Sequence, residues 1–294
     1  MIIFNLSYYF LLFFFSPKSD IYIAPSGILP FFLRKKTKKV LFVHDLIWAH
    51  EKNSFLKKFI AWLHASSIRR ADFIICVSDS TKKELQHFFP FKGNVSTLHN
   101  SFDWSLTKRK KIQPDSIFIL SVGLTSLRKS PELCFKIARQ LYFDRGIIWK
   151  ITGDKKKIVE LFESIKIDIM HIPFADLLGV VSDTRLKDLY FSATLSLILS
   201  EREGFGYPIL EAQSMGSPIL ASNIAIFREI SGLENNFLCN ISNEREVYKK
   251  AIKLLEDKKY RETQQSIGFE NIKKYMLEIT RDKLKNLIRN NLFK

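Results

Sequence analysis

The chain has 294 residues, of which 46% are hydrophobic and 26% charged; this is room for two domains of ordinary size, with the composition of a soluble globular protein rather than a disordered one. The three cysteines, Cys76, Cys134 and Cys239, are odd in number and widely spaced, which excludes a disulfide framework or a metal-ligand spacing and favours a reducing cytosol. A formal net charge of +16 leaves four explanations open: a nucleic acid, an anionic membrane, a phosphorylated substrate, or compositional drift toward lysine.

Met1–Phe15 is the one membrane-like stretch. It lacks a basic start and a small-residue cleavage site, and it is shorter than the roughly 20 residues of a spanning helix. It is expected to form a buried strand or helix of the first domain, or an interfacial segment. Ser19–Pro25 reads as a short strand ending in a turn, and Arg34, Lys35, Lys36, Lys38 and Lys39 form a basic run before a strand at Val40–Val43. That strand delivers His44-Asp45-Leu46 at its carboxyl end, where open α/β sheets place ligands. The other five histidines supply no i, i+4 metal pair. Ser54–Arg70 reads as an amphipathic helix with Phe55, Phe59, Trp62, Leu63 and Ile68 on one side, and Lys57, Lys58, Arg69 and Arg70 elsewhere around it. Such a helix either rests on anionic lipid or, the preferred reading, turns its apolar stripe inward. A strand at Phe73–Val77 follows, then a helix opened by the capping-box pair Thr81 and Glu84, and a strand at Val95–Leu98. Thr107–Pro114, charged and closed by proline, suits a linker.

Beyond the linker, Ile117–Val122 reads as a strand, followed by Gly123 and by Arg128-Lys129 before a helix starting near Pro131. Arginine grips phosphate oxygens as a fork and lysine adds a point charge. Two cations at a helix start oppose the helix dipole, so they require an anion. Strands are expected at Ile147–Thr152, running into Gly153-Asp154, and at Ile167–Ile172, with a helix at Arg185–Phe191. A buried strand at Leu195–Leu199 then leads into EREGFGYPILEAQSMGSPILASN, Glu201 to Asn223, the stretch around which the chain is organised. Glycines flank Phe205, Pro208 suits the first turn of a helix that Gly216 closes, and Pro218–Ala221 reads as the next strand. The N–H groups of that first turn form an anion site. Glu203 and Glu211, with seven residues between them, can accept hydrogen bonds from two parts of one hydroxyl-rich ligand. For Glu211 alone, the preference of acidic residues for helix N-termini is an equal explanation. The tail beyond Arg245 reads as successive helices.

EGFGYPILEA resembles the signature of family 4 glycosyltransferases (group 1 glycosyl transferases, GT-B fold), E-G-F-G-x-P-x-x-E-A. His44-Asp45-Leu46 is similar to the family's H-D-L-like motif. Asn100-Ser101-Phe102-Asp103 is similar to its N-G-V-D turn, with serine in place of glycine. Gly123 through Ser130 resembles the V-G-x-x-x-x-R-K-N form of mannosyltransferase-like members, and Gly179 through Tyr190 resembles the element that borders the nucleotide base. The departures are Leu199-Ser200 for Pro-Ser, Tyr207 for the leucine of G-L-P, and a front in which the family's early strand and glycine-rich loop are not found.

The resemblance implies an α/β protein of GT-B fold, two Rossmann-like domains facing a cleft, with the N-terminal domain shortened. Residues 1–106 would form the acceptor-side domain, 107–275 the nucleotide-sugar-binding domain, and 276–294 a C-terminal helix packing back on the first. It implies a retaining glycosyltransferase that moves a hexose, mannose-like, from a nucleotide diphosphate sugar to a glycan or lipid-linked acceptor of surface polysaccharide, without metal or cofactor. In the roles it implies, His44 faces the sugar near the reacting carbon and Glu203 holds sugar hydroxyls. Gly123, Arg128, Lys129, Gly204, Phe205, Gly206, Ile209 and Glu211 bind the donor, Glu211 at the ribose. The implied location is cytoplasmic, with peripheral contact at the inner face of a membrane. A non-catalytic GT-B relative that binds a nucleotide sugar or a partner subunit is the alternative. A nucleic-acid binder rests on charge alone, without an RNP-like pair, zinc spacing or basic zipper. A dinucleotide oxidoreductase is excluded because Ile209 breaks G-x-G-x-x-G.

Overall fold

The computed structural model describes residues 19–50, 55–91, 93–104 and 117–292. The expectations for Met1–Phe15 and Thr107–Pro114 fall outside the described residues. Contacts divide the chain into two compact units, Met1–Ser101 with Leu277–Lys294, and Phe102–Met276.

In the first unit, β1 (Ile21–Ala24), β2 (Lys38–Val43), β3 (Phe73–Cys76) and β4 (Asn94–Thr97) form a parallel sheet in that order. The connections carry α1 (Ile47–His50), α2 (Phe55–Arg70) and α3 (Asp79–Phe88). β3 is buried along its whole length, so Phe-Ile-Ile-Cys reads as an unbroken apolar run, as expected of a parallel strand covered on both faces. On one face Leu41, Ile74 and Cys76 pack with Ile68 of α2 and Leu85 of α3. On the other, Val40, Phe73, Ile75 and Leu98 meet Leu284, Leu287 and Leu292 of the C-terminal helix, Leu277–Leu292.

The first unit departs from the sequence expectations at two helices. The cap of α3 is Ser78, whose Oγ accepts the Thr81 N–H at 2.9 Å, rather than Thr81 itself; in a run of Ser-Asp-Ser-Thr several residues can cap, and the strand end decides which does. The apolar residues of α2 do not form one inward stripe. Leu63 and Ile68 are buried, whereas Phe55, Phe59 and Trp62 are exposed. Polar Ser67 shares the inward face because its Oγ accepts Leu29 N–H at 2.9 Å and donates to Leu63 O at 2.8 Å. The inward face is therefore rotated away from the i, i+4, i+7 line of the aromatics.

The second unit is a six-stranded parallel sheet of β5 (Phe118–Val122), β6 (Ile148–Thr152), β7 (Ala175–Gly179), β8 (Leu195–Ile198), β9 (Ile219–Ser222) and β10 (Leu238–Cys239), in the order β10-β9-β8-β5-β6-β7. Around it lie α4 (Pro131–Arg145), α5 (Lys155–Ser164), α6 (Asp183–Ser192), α7 (Tyr207–Ser214), α8 (Ala225–Ser231), α9 (Glu244–Glu256) and α10 (Lys258–Ile272); the C-terminal helix of the first unit is then α11. Trp149 is fully buried in the core among the side chains of α4 and α5, and its indole N–H donates to Ser121 Oγ at 3.0 Å. The strand expected at Ile167–Ile172 is a 3-10 turn over Ile169–His171, preceded by Lys166 at φ 62°, and the sixth strand is β7 instead. Ile169 is buried in the core, and a short apolar run does not by its periodicity separate a plug from a strand.

β10 is only two residues long and pairs with β9 at Ala221 and Ser222. The edge of β9 below that point is completed by a side chain. The Gln264 amide of α10 accepts the Ile219 N–H and donates to the Ile219 carbonyl, both at 2.8 Å and both buried. Replacing Gln264 with Leu leaves a buried N–H and a buried C=O without partners, at about 1–3 kcal/mol each. Urea unfolding of Gln264→Leu is expected to show a stability loss of about 2–6 kcal/mol with an unchanged slope.

Candidate functional site

The sheet of the second unit reverses its strand order between β5 and β8. In open α/β sheets ligands bind at the carboxyl ends of the strands beside such a reversal. The loops that leave β5 and β8 there are the two glycine loops, so Gly123, Arg128 and Lys129 come together with Glu203, Gly204, Phe205 and Gly206.

The loop after β5 turns at Gly123, which has φ 61° and whose N–H donates to Thr152 O at 2.8 Å. A Cβ on Gly123 would stand 3.2 Å from Lys129 Nζ. Lys129 thus folds back over the strand end, donating to Val122 O at 3.2 Å. Burial lowers its pKa, with Glu203 and Glu211 acting in the opposite direction. Arg128 and Lys129 lie in a 3-10 turn that ends at Ser130, left-handed at φ 47°, before Pro131 opens α4.

That turn is tied to the second loop. Arg128 Nη1 lies 2.6 Å from Glu203 Oε2 and donates to Arg202 O at 2.9 Å, while Glu201 N–H donates to Arg128 O at 2.7 Å. Ser200 Oγ donates to the other oxygen of Glu203 at 3.0 Å. Part of the negative charge that the Arg-Lys pair requires is therefore Glu203, a partner the spacing of the motif did not disclose. Gly206 has φ 95°, and a Cβ there would meet the Phe227 ring at 3.1 Å; only glycine fits this entry into α7.

Glu211 sits one turn into α7 and accepts the Tyr190 hydroxyl of α6 at 2.8 Å. Burial pushes the Glu211 carboxyl up, opposed by Tyr190 and Lys129. Trp104 packs edge-on against the Tyr190 ring at 6.1 Å, and Lys187 Nζ lies 5.2 Å over Trp104. Phe205 and Ile209 are buried. Phe205 packs edge-on against Tyr207 and Tyr275, and the Ile209 N–H returns to Gly206 O at 3.0 Å. The sequence placed Tyr190 only within the element resembling the border of the nucleotide base, and did not single out Trp104, nor Ser126 and Ser130, whose hydroxyls are buried at either end of the Arg-Lys turn without a hydrogen-bond partner. A tyrosine two turns along a helix carries no spacing signal toward a glutamate in the next.

His44 belongs to the other unit. It follows β2, and its Nε2 lies 2.6 Å from Pro25 O. A carbonyl only accepts, so Nε2 carries the proton. Nearby His64 stacks on Trp48 at 5.2 Å, and burial lowers its pKa.

The family model for glycosyl transferases group 1 matches residues 103–271, and that for glycosyltransferase family 4 matches residues 8–105. The chain belongs to the group 1 glycosyl transferases. Among curated proteins, this glycosyltransferase-family chain is 26% identical over 216 residues to the O-antigen chain mannosyltransferase RfbU of Salmonella typhimurium, covering 73% of this chain and 60% of the relative. It is 26% identical over 268 residues to the serotype-specific mannosyltransferase WbdA of Escherichia coli, covering 81% of this chain and 32% of that one. It therefore spans less than two thirds of either relative. Among solved structures it is similar to Anabaena HepE in complex with UDP and glucose, at a TM-score of 0.67, 19% identity, and 86% and 72% coverage of the two chains. It is also similar to TarM, at a TM-score of 0.67, 17% identity, and 91% and 54% coverage. These likenesses show the fold, which is GT-B, two parallel α/β sheets with helices around each.

The Glu211 environment sets a pH dependence. A carboxyl whose folded pKa is raised is destabilising above its unfolded pKa of about 4.3, because the unfolded chain releases its proton first. Relative to Glu211→Gln, which keeps an acceptor for Tyr190, the native chain is expected to lose stability as pH rises through that window and to differ little below it. Urea midpoints of the two proteins between acid and neutral pH measure the gap.

Proposed function

We propose that the chain is a retaining glycosyltransferase that moves a hexose, mannose-like, from a nucleotide diphosphate sugar to a glycan or lipid-linked acceptor of a surface polysaccharide. The observation that carries this reading is the joining of the Arg128-Lys129 turn to the Glu203–Gly206 loop at the strand-order reversal. Cleaving the donor leaves negative charge on a diphosphate, and preorganised donors aimed at that charge lower the barrier. Arg128 has five N–H donors, of which Glu203 and Arg202 engage only part. Lys129, the N–H groups opening α7, and the hydroxyls of Ser126 and Ser130 would supply the rest.

In the same reading Glu203 holds sugar hydroxyls, and Glu211, oriented by Tyr190, accepts from the ribose hydroxyls. His44, Nε2-protonated, would act near the reacting carbon from the acceptor-side domain, residues 1–106, while residues 107–275 bind the donor. The mannosyltransferase relatives support mannose as the sugar and an O-antigen-like acceptor. The protein would work at the cytoplasmic side of a membrane.

Replacing both Arg128 and Lys129 with Ala is expected to weaken GDP and UDP binding by about two to four powers of ten, at roughly 1.5–3 kcal/mol per charge-assisted hydrogen bond. Because Arg128→Ala also leaves Glu203 without its cation, Lys129→Met is the cleaner single variant, and it should retain the native urea midpoint more closely. Unchanged affinity in calorimetric titration of both variants would remove the phosphate site.

With protein cations compensating the leaving group, hexosyl transfer from the purified chain should survive excess EDTA. Loss of turnover on chelation, restored by manganese, would overturn this mechanism. Binding of the donor without hydrolysis or transfer would instead identify a non-catalytic relative.

A further inference from the structure

The exposed aromatics of α2 are not covered by packing among the described residues of the first unit. Phe55, Phe59 and Trp62 follow one another at i, i+4 and i+7 and are 87%, 47% and 51% exposed. Inward burial is supplied by other residues of the same helix, Leu63 and Ile68. Lys58, between Phe55 and Phe59, lies beside this line, and Arg69 lies two turns beyond Trp62; both are exposed.

A second segment extends this face. Phe31 stacks on Trp62 at 5.6 Å, as Phe59 does at 5.9 Å. The Arg70 guanidinium lies 4.4 Å over Phe31 and donates to the carbonyls of Pro30 and Leu29 at 2.7 and 2.9 Å. The chain is thereby pinned to α2 where Phe32, 63% exposed, runs into exposed Arg34, Lys35 and Lys36. Those three cations line a recess of about 310 Å³ with Ser19, Asp20 and Thr37. Ser19 Oγ is buried there without a hydrogen-bond partner.

We infer that this face, Phe32 with Phe55, Phe59 and Trp62 and the adjoining Arg34–Lys36 turn, is a docking surface for an anionic lipid bilayer. Aromatic rings flanked by lysine and arginine suit the boundary between acyl chains and headgroups, and each cation near an anionic leaflet adds to the attraction. Charge complementarity selects lipid over a neutral apolar partner, since the aromatic line carries Lys58 beside it, Arg69 beyond it and the Arg34–Lys36 turn next to Phe32, and the whole chain is at +16. A single-stranded nucleic acid fits less well, because stacking with Phe31 and Phe59 engages the faces of Trp62 that bases would use. The helix would lie on the surface. Among the described residues no helix is long and apolar enough to cross a membrane.

The inference narrows the membrane contact of the proposed function to one face, but it does not depend on catalysis. The test uses the full chain and two triple variants, Phe55→Ser with Phe59→Ser and Trp62→Ser, and Arg34→Gln with Lys35→Gln and Lys36→Gln. Binding is read by co-sedimentation with phosphatidylcholine vesicles, with and without phosphatidylglycerol. The full chain is expected to bind the anionic vesicles and to release in high salt. The aromatic variant should lose more than about tenfold in partitioning, and the basic variant about one to two powers of ten, with GDP and UDP affinity unchanged in both. Full-strength vesicle binding by both variants, equal binding to neutral vesicles, or no vesicle binding by the full chain would overturn the inference. So would concentration-dependent self-association that the aromatic variant alone abolishes, since the face would then join two copies of the chain. None of these outcomes alters the nucleotide titrations, so the two proposals fail separately.

Discussion

The contact on which the second unit's site depends is the clamp between Arg128 and the loop after β8. A guanidinium and a carboxylate 2.6 Å apart, in a setting where Glu203 is largely withdrawn from water, attract more strongly than the same pair would on the surface. The two backbone bonds beside them, Glu201 N–H to Arg128 O and Arg128 Nη1 to Arg202 O, set their register. Two loops far apart in sequence are thereby held as one surface over the point where the sheet reverses. The clamp also leaves Lys129 under the influence of two carboxylates, Glu203 and Glu211, which favour its charged form against the burial that lowers its pKa.

Around that clamp the backbone conformations are ones that few residues can adopt. Gly123 and Gly206 both have positive φ at places where a Cβ would meet Lys129 or Phe227. Their role is close approach, the ammonium to a strand end in one case and a helix start to an aromatic ring in the other. In the same unit, buried side-chain amides satisfy backbone groups that the sheet and helix ends leave open, including the edge that the short β10 leaves undone. Gln264 serves β9, while Asn271 donates to Gln213 Oε1 at 3.0 Å and to Ile230 O at 2.7 Å. These buried polar contacts are satisfied at both ends, which is the condition under which they rigidify a core rather than weaken it.

Much of the first unit obeys the same rules, with apolar strands covered on both faces, and α2 is where it departs from them. A helix with apolar residues around most of its circumference is ordinarily buried all round. Here one apolar face meets the sheet and the other meets solvent beside a basic turn. An exposed cluster of that kind marks an interaction surface more often than a packing defect.

What the sequence determined by itself was local and short in range. Apolar runs bounded by glycine and proline located β5, β6, β8 and β9 to within a residue or two, because a strand buried on both faces has no other composition open to it. The glycine loops, the proline at the start of α7 and the charged residues beside them were legible for the same reason, since steric and dipolar demands act within a few residues. Only the tertiary structure decided which groups meet. It paired Arg128 with Glu203, set Tyr190 on Glu211, turned Ile169 into the core as a plug instead of a strand, and faced Phe55, Phe59 and Trp62 outward. Each of these turns on sheet order or helix rotation, and both are settled by burying the whole set of apolar faces at once. No periodicity within one segment carries that information.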